Sequence, residues 1–287
     1  MLRVMKYKTW FFIGSTLLII PGLIFMLMGG LKFGLDFTGG GLLEYKFENP
    51  VNKEDLDDYG QVVKSGENTY ILRTPTSSTE ELQNLKTEIR NKFGNYEVRR
   101  EENVGPTIGK ELEQKAIIAM IISWVTIVLY ITFAFRKVPK PASSFRFGVS
   151  AIVALVHDVL LLLGVFAILG YFWHVEIDTL FVTALLTVVG FSVHDTIVVF
   201  DRIRENLPKN LGKKFETVVD ISISQTLARS LNTSLTVIFV LTALLLFGGV
   251  TIKWFVVALL VGMVSGTYSS IFNAAALLSW WEEKLGH

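Results

Sequence analysis

Six apolar runs, each long enough to cross about 30 Å of hydrocarbon, constrain this chain more than any other feature of its sequence. They cover residues 10–31, 116–135, 148–170, 178–200, 231–248 and 252–280. In lipid every backbone N–H and C=O must be satisfied within the protein, so runs of this length are read as helices. Pro21-Gly22 in the middle of the first run marks a kink. Composition agrees: 51% of the 287 residues are hydrophobic and only 18% charged, below the share usual in soluble domains. The 21 Phe, 8 Tyr and 6 Trp suit a chain that meets lipid headgroups. A net charge of +1 argues against a nucleic-acid partner, and the absence of Cys excludes disulfides, thiolate metal sites and cysteine nucleophiles.

Basic residues in the short loops set the orientation. Arg3, Lys6 and Lys8 precede the first run, Arg136, Lys137, Lys140 and Arg146 follow the second, and Arg202, Arg204, Lys209, Lys213, Lys214 and Arg229 follow the fourth. Residues 171–177 and 249–252 carry no Lys or Arg. The reading is a multi-pass protein of the cell (inner) membrane with six spans and both termini cytoplasmic. The first run is too long for a signal-peptide core and lacks a clear small-x-small cleavage site, so it is expected to be an uncleaved anchor.

Three regions follow: 1–31, a cytoplasmic N-terminus and first span; 32–113, an extracytoplasmic α/β domain; and 114–287, a five-helix bundle with cytoplasmic loops and C-terminus. Within the second, residues 42–47, 69–73 and 96–104 read as strands, 53–59 as a helical turn or two, and 80–93 as a helix. That helix places Leu82, Leu85 and Ile89 on one stripe, with Ser78 or Thr79 at its start and Gly94 at its stop. The order is βαβαβ-like.

Ionisable groups inside spans cost a few kcal/mol each and are functional candidates by default. His157-Asp158 lies near the middle of the third run, His194-Asp195 in the last third of the fourth, and Arg229 leads into the fifth. Asp195 is the first choice for a proton carrier. Burial favours a neutral carboxyl and a nearby Arg an ionised one, so approach and withdrawal of Arg229 would switch it. The competing reading is a static Asp195–Arg229 ion pair pinning two helices. Neighbours on a helix point about 100° apart, so His157 and Asp158 are not expected to face one another, and Asp158 is as readily a partner of Ser, Thr or backbone groups on another helix. His194 is ambiguous in the same way. No H-x-x-x-H or clustered carboxylate spacing supports a metal, no cofactor loop emerges, and no nucleophile–base constellation suggests an enzyme.

Gly34, Leu35, Asp36, Phe37, Thr38, Gly39, Gly40 and Gly41 follow the first span. Without a following Gly-Lys-Ser/Thr they are not a phosphate loop, and they read as a flexible lead into the external domain. Gly262 and Gly266, with Ser265, Ser269 and Ser270, form a small-residue face suited to close helix packing. Residues 212–230 are mildly amphipathic and fit either a helix lying at the cytoplasmic interface or a solvated connecting helix.

Together these segments resemble the SecD/SecF family, on its SecF side. The resemblance rests on 34–40, on Ala154-Leu155-Val156-His157-Asp158-Val159, on the long run from Gly190 to Asn206, and on Arg229-Ser230-Leu231-Asn232-Thr233-Ser234-Leu235-Thr236. It implies a transporter fold of the resistance-nodulation-division kind, with a ferredoxin-like external domain and six spans paired with six of SecD. It implies a proton-motive-force-driven subunit that promotes late steps of polypeptide translocation. The implied partners are SecD, the SecYEG channel, exported preproteins and, at the edge of the complex, YajC and YidC. The family's intramembrane Asp falls on Asp195 and its Arg on Arg229. His194 departs from the Asn usual before that Asp. Two other readings stay open: an ion-driven half-transporter for small molecules or lipids, and a non-transporting scaffold.

Overall fold

The computed structural model describes residues 2–76, 78–139 and 142–284. The chain forms two compact units, Met1–Lys32 with Ala119–His287, and Phe33–Ile118. The helices are α1 (Lys8–Leu27), α2 (Leu35–Thr38), α3 (Lys53–Leu56), α4 (Thr79–Phe93), α5 (Pro106–Ala134), α6 (Ser144–Trp173), α7 (Thr179–Asn206), α8 (Phe215–Phe247), α9 (Lys253–Tyr268) and α10 (Ala275–Lys284). The strands are β1 (Lys32–Phe33), β2 (Gly40–Phe47), β3 (Gln61–Gly66), β4 (Thr69–Thr74), β5 (Tyr96–Val104) and β6 (Glu176–Ile177).

In the smaller unit, β2, β3, β4 and β5 form one antiparallel sheet in the order β3-β4-β2-β5. With α3 after β2 and α4 after β4, the succession is βαββαβ, the ferredoxin-like arrangement. Strand β3 is missing from the sequence reading. Only Val62 of its six residues is fully buried, so no alternation marks it, and its hairpin partner β4 defines it. Central β2 sends Leu43, Tyr45 and Phe47 to one face, where they meet Leu82 and Ile89 of α4, Leu56, Leu72 and Tyr70. Helix α4 begins after Ser78 and ends at Gly94, which takes φ +84°.

Among the described residues six helical stretches are long and apolar enough to cross a membrane, which makes this a multi-pass membrane protein. Helix α1 runs on through Pro21, and the glycine beside it serves a packing contact: a Cβ on Gly22 would come within 2.5 Å of Gly164 Cα on α6. Residues 212–230 do not form a separate interfacial helix. Phe215 opens α8, which continues to Phe247, about 50 Å in all, so its first turns extend beyond a bilayer core. Those turns bury Phe215, Val218, Val219, Ser222 and Ile223, because apolar contact there outweighs exposure at an interface. The sixth span is likewise not one regular helix: a π-helical segment, Ser269–Ala274, joins α9 to α10.

The glycine-rich stretch is ordered. Leu35–Thr38 make one helical turn, closed by Gly39 at φ +70° and followed by Gly40 at φ +116°. Thr38 Oγ1 donates to the Gly34 carbonyl at 3.2 Å. A Cβ on Gly40 would stand 2.5 Å from the Thr74 carbonyl oxygen, and one on Gly109 would stand 3.1 Å from that of Phe37. The glycines therefore let backbones meet, and Asp36 and Phe37 sit in a fixed turn rather than a flexible lead.

Candidate intramembrane carboxylate site

Helix α7 carries the first of two buried carboxyls. Its apolar stripe of Phe181, Ala184, Leu185, Val188 and Val189 continues into Ser192, Asp195, Thr196 and Val199, so the packing face turns polar without leaving the interior. Asp195 is 8% exposed and lies beside the hydroxyls of Ser234 on α8 and Thr267 on α9. Those hydroxyls lie 2.6 Å from each other. Among the described residues no Lys or Arg makes an ion pair with Asp195. A hydroxyl both donates and accepts, so this shell suits the carboxyl whether it is ionised or protonated, where an ammonium or guanidinium would hold it ionised.

Asp158 on α6 is fully enclosed. It accepts from Ser192 Oγ at 2.5 Å, Ser265 Oγ at 2.7 Å and Ser269 Oγ at 2.6 Å. His157 Nδ1 completes the set at 3.0 Å, contrary to the expectation that neighbours on a helix would not meet. Their Cβ atoms do diverge, but the imidazole is long enough for Nδ1 to swing back to the carboxylate. His157 Nε2 lies 3.2 Å from Asn273 Nδ2, which donates to Ser15 Oγ at 2.6 Å. Four elements thus converge on one pair, and the π segment supplies two of the contacts. Its neighbouring Ser270 bonds Thr196 on α7 at 2.8 Å.

Arg229 stands elsewhere. It is exposed on α8, five positions before Ser234 and hence about 140° around the helix from it, while Thr226, Ser230 and Ser234 form the buried stripe. The expected Asp195–Arg229 pairing is therefore not formed in this structure. His194 is exposed as well, since Asp195 and not its neighbour takes the inward position. Gly262 and Gly266 lie on the α7–α9 seam, against Val188 and Ser192.

Sequence reading passed over Ser15, Ser192, Thr267 and Asn273, and assigned Ser265, Ser269 and Ser270 to packing alone. A signal was present. Ser265 and Ser269 recur at i, i+4, as do Gly262, Gly266 and Ser270, so two adjoining small stripes run along one helix, and one is polar.

Residues 84–284 match the family of SecD/SecF protein export membrane proteins over its C-terminal region, and residues 24–51 match the SecD/SecF GG motif. The protein translocase subunit SecF of Thermobaculum terrenum is 48% identical, with 99% of this chain and 95% of the relative aligned. That of Anaerolinea thermophila is 43% identical over 98% of this chain and 94% of its own length. The crystal structure of SecDF from Thermus thermophilus, a translocon-associated membrane protein, superposes with a TM-score of 0.83 at 32% identity, covering 97% of this chain. The chain spans only 38% of that SecDF chain. SecDF in a super-membrane-facing form gives 0.71 at 31% identity, over 98% of this chain and 39% of the other.

Proposed function

This chain belongs to the SecD/SecF family of protein export membrane proteins, and from that premise we propose that it is the SecF half of a proton-driven accessory complex of Sec protein export. Its six spans pair with those of a SecD subunit beside the SecYEG channel, with both termini cytoplasmic and the α/β unit outside. YajC and YidC belong to the wider circle of the same complex. The complex draws exported preproteins through in the late steps of translocation. The chain contributes no bond-making chemistry of its own.

The observation that carries this reading is Asp195: a carboxyl buried inside a span beside the hydroxyls of Ser234 and Thr267, with no Lys or Arg paired to it among the described residues. Moving one charge across the field is worth about 2.3 kcal/mol per 100 mV, enough to bias a two-state helix arrangement roughly fifty-fold. Proton binding on one side and release on the other then turns the gradient into rearrangement of α7, α8 and α9, and through them into movement of the α/β unit.

The test compares wild type with Asp195→Asn, each co-expressed with SecD in inverted membrane vesicles. A half-translocated precursor is followed after ATP removal, with and without an imposed proton gradient. Loss of gradient-dependent completion at normal protein level and partner binding supports the reading. Unchanged completion rejects it and leaves a scaffold.

A further inference from the structure

The second carboxyl carries more than the coupling reading uses. We propose that His157 and Asp158 form a second proton-binding site within the spans, in which a proton bound between ring and carboxyl is accommodated by reorienting hydroxyls and one amide. The use of this site in transport rests on the proton-coupled reading above; its existence does not.

Every group around the pair is reversible. The carboxyl of Asp158 is held by Ser192, Ser265 and Ser269, each at 2.5 to 2.7 Å. A serine hydroxyl that donates to a carboxylate can rotate to accept from a protonated carboxyl, with no heavy atom moved. A structural node has no use for this property and would be served better by a Lys or Arg, which would also cancel the charge. Here, among the described residues, the only group bonded to the carboxyl that can carry positive charge is His157 itself.

The amide completes the case. Asn273 turns Nδ2 toward His157 Nε2, an arrangement that is satisfied when Nε2 accepts and the ring proton sits on Nδ1, toward Asp158. Asn273 Oδ1 is buried and has no hydrogen-bond partner. Rotating the amide by half a turn brings this orphan acceptor in front of Nε2, which can then take up a proton, while Ser15 reverses to donate to the same oxygen. The unpartnered acceptor in one state becomes the required one in the other. A proton taken up at Nε2 converts a pair with net charge −1 into Asp158 carboxylate and His157 imidazolium, net zero. Transfer from Nδ1 to Oδ1 gives neutral acid and neutral ring, also net zero. Of the two, the His157 side chain is the less enclosed, at 11% exposed, and that of Asp158 is not exposed at all.

Among the described residues no other charged group bonds the pair. The elements packed against α6 face it with Ser15 from α1, Ser192 from α7, Ser265 from α9, and Ser269 and Asn273 from the π segment. Within the spans those elements also carry His194 and Asp195 on α7 and Tyr268 on α9, and none of them bonds the pair. The remaining ionisable groups on these helices, Lys8, Arg146, Tyr171, Asp201 to Glu205, Lys253 and Glu282 to Lys284, lie at helix ends.

The test uses the full chain with its SecD partner in lipid nanodiscs, with ¹⁵N-labelled histidine rings observed between about pH 5 and pH 9, a range that brackets the free imidazole value. The chain has four His, so His157→Gln identifies the signal. The expected result is the Nδ1–H tautomer at the alkaline end, converting to imidazolium on acidification, with a midpoint displaced by about one pH unit or more in Asn273→Leu and in Ser269→Ala. These two variants keep the proposal open to test where Asp158→Asn does not fold. A His157 ring that stays neutral throughout, or a midpoint indifferent to both variants, overturns it and makes the pair a static knot. Repeating the titration in Asp195→Asn separates the two readings. A ring that still titrates there upholds the second site whatever happens to gradient-driven completion, and a ring that no longer titrates overturns it as an independent site.

Discussion

Gly262 on α9 lies against Val188 on α7 so closely that a Cβ on the glycine would stand 2.0 Å from Val188 Cγ2. The contact is the first of a series: Gly266 meets Ser192, and Ser270 bonds Thr196. Each pair is 74 residues apart, as two helices running the same way in constant register require. Gly262→Ala should therefore destabilise the chain by about 1–3 kcal/mol through overpacking, because valine is stiff at χ1 and cannot swing aside. Gly266→Ala, whose Cβ would stand 3.2 Å from Ser192 Cβ, should cost less. Thermal unfolding in detergent reads both, and Val188→Ala should recover most of the Gly262→Ala loss. No recovery would mean that the seam is not where the strain falls.

Tyr45 offers a test in the α/β unit. Its side chain is fully buried and its hydroxyl has no hydrogen-bond partner. Burial pushes its ionisation far above the usual tyrosine range, with Tyr96 and Glu101 adding to the effect. The folded state thus keeps a proton that the unfolded chain releases near pH 10, so the stability is complete below about pH 10 and falls as pH rises further. Tyr45→Phe removes both the orphan hydroxyl and this dependence. The expected outcome is an unchanged or higher melting temperature at neutral pH and a flatter decline above pH 10. A loss of more than about 1 kcal/mol at pH 7 would show that the hydroxyl does find a partner.

What the sequence made legible follows from how far each signal reaches. Six spans needed only the length of apolar runs, and α4 only a 3.6-residue stripe with Ser78 and Gly94 at its ends. Strand β3 was hidden because five of its six residues are at least partly exposed and its identity depends on pairing with β4. Asp158 and Asp195 were conspicuous because charge is rare in a span, whereas their partners were not. Ser192, Ser269, Thr267 and Asn273 are ordinary in a membrane helix, and only tertiary contact turns them into a shell. The face of α8 that Arg229 occupies was hidden for the same reason. Proximity to the fifth span said nothing about which face of α8 it occupies.

The ends of α6 and α10 are joined by an ion pair that neither run announces. Arg146 Nη1 donates to Glu282 Oε2 at 2.5 Å, and the Glu282 side chain is fully buried. Removing one partner of a buried pair is strongly destabilising, at a cost of about 3–5 kcal/mol, while replacing both with apolar side chains of similar volume is close to neutral. Arg146→Met alone should lower the melting temperature well below that of Arg146→Met combined with Glu282→Leu. Equal losses in the single and double variants would deny the pair this role.

Arg229 invites the opposite expectation. Among the described residues nothing bonds its guanidinium, and only its carbonyl is engaged, by Thr233 Oγ1 at 3.0 Å. A surface residue of this kind contributes within about 0.5 kcal/mol, so Arg229→Gln should leave the melting temperature of the purified chain where it was. Yet a guanidinium kept at the start of an apolar stretch, on a helix that also presents Ser234 to Asp195, is costly to retain unless another state or another subunit receives it. Turning α8 about its axis would exchange the Ser234 face for the Arg229 face and bring a fixed positive charge to a carboxyl that now has hydroxyls alone. Gradient-dependent completion in vesicles should therefore be lost in Arg229→Gln and partly kept in Arg229→Lys. A normal rate in Arg229→Gln would remove the residue from the coupling machinery, and a lowered melting temperature would place it in a contact within the chain instead.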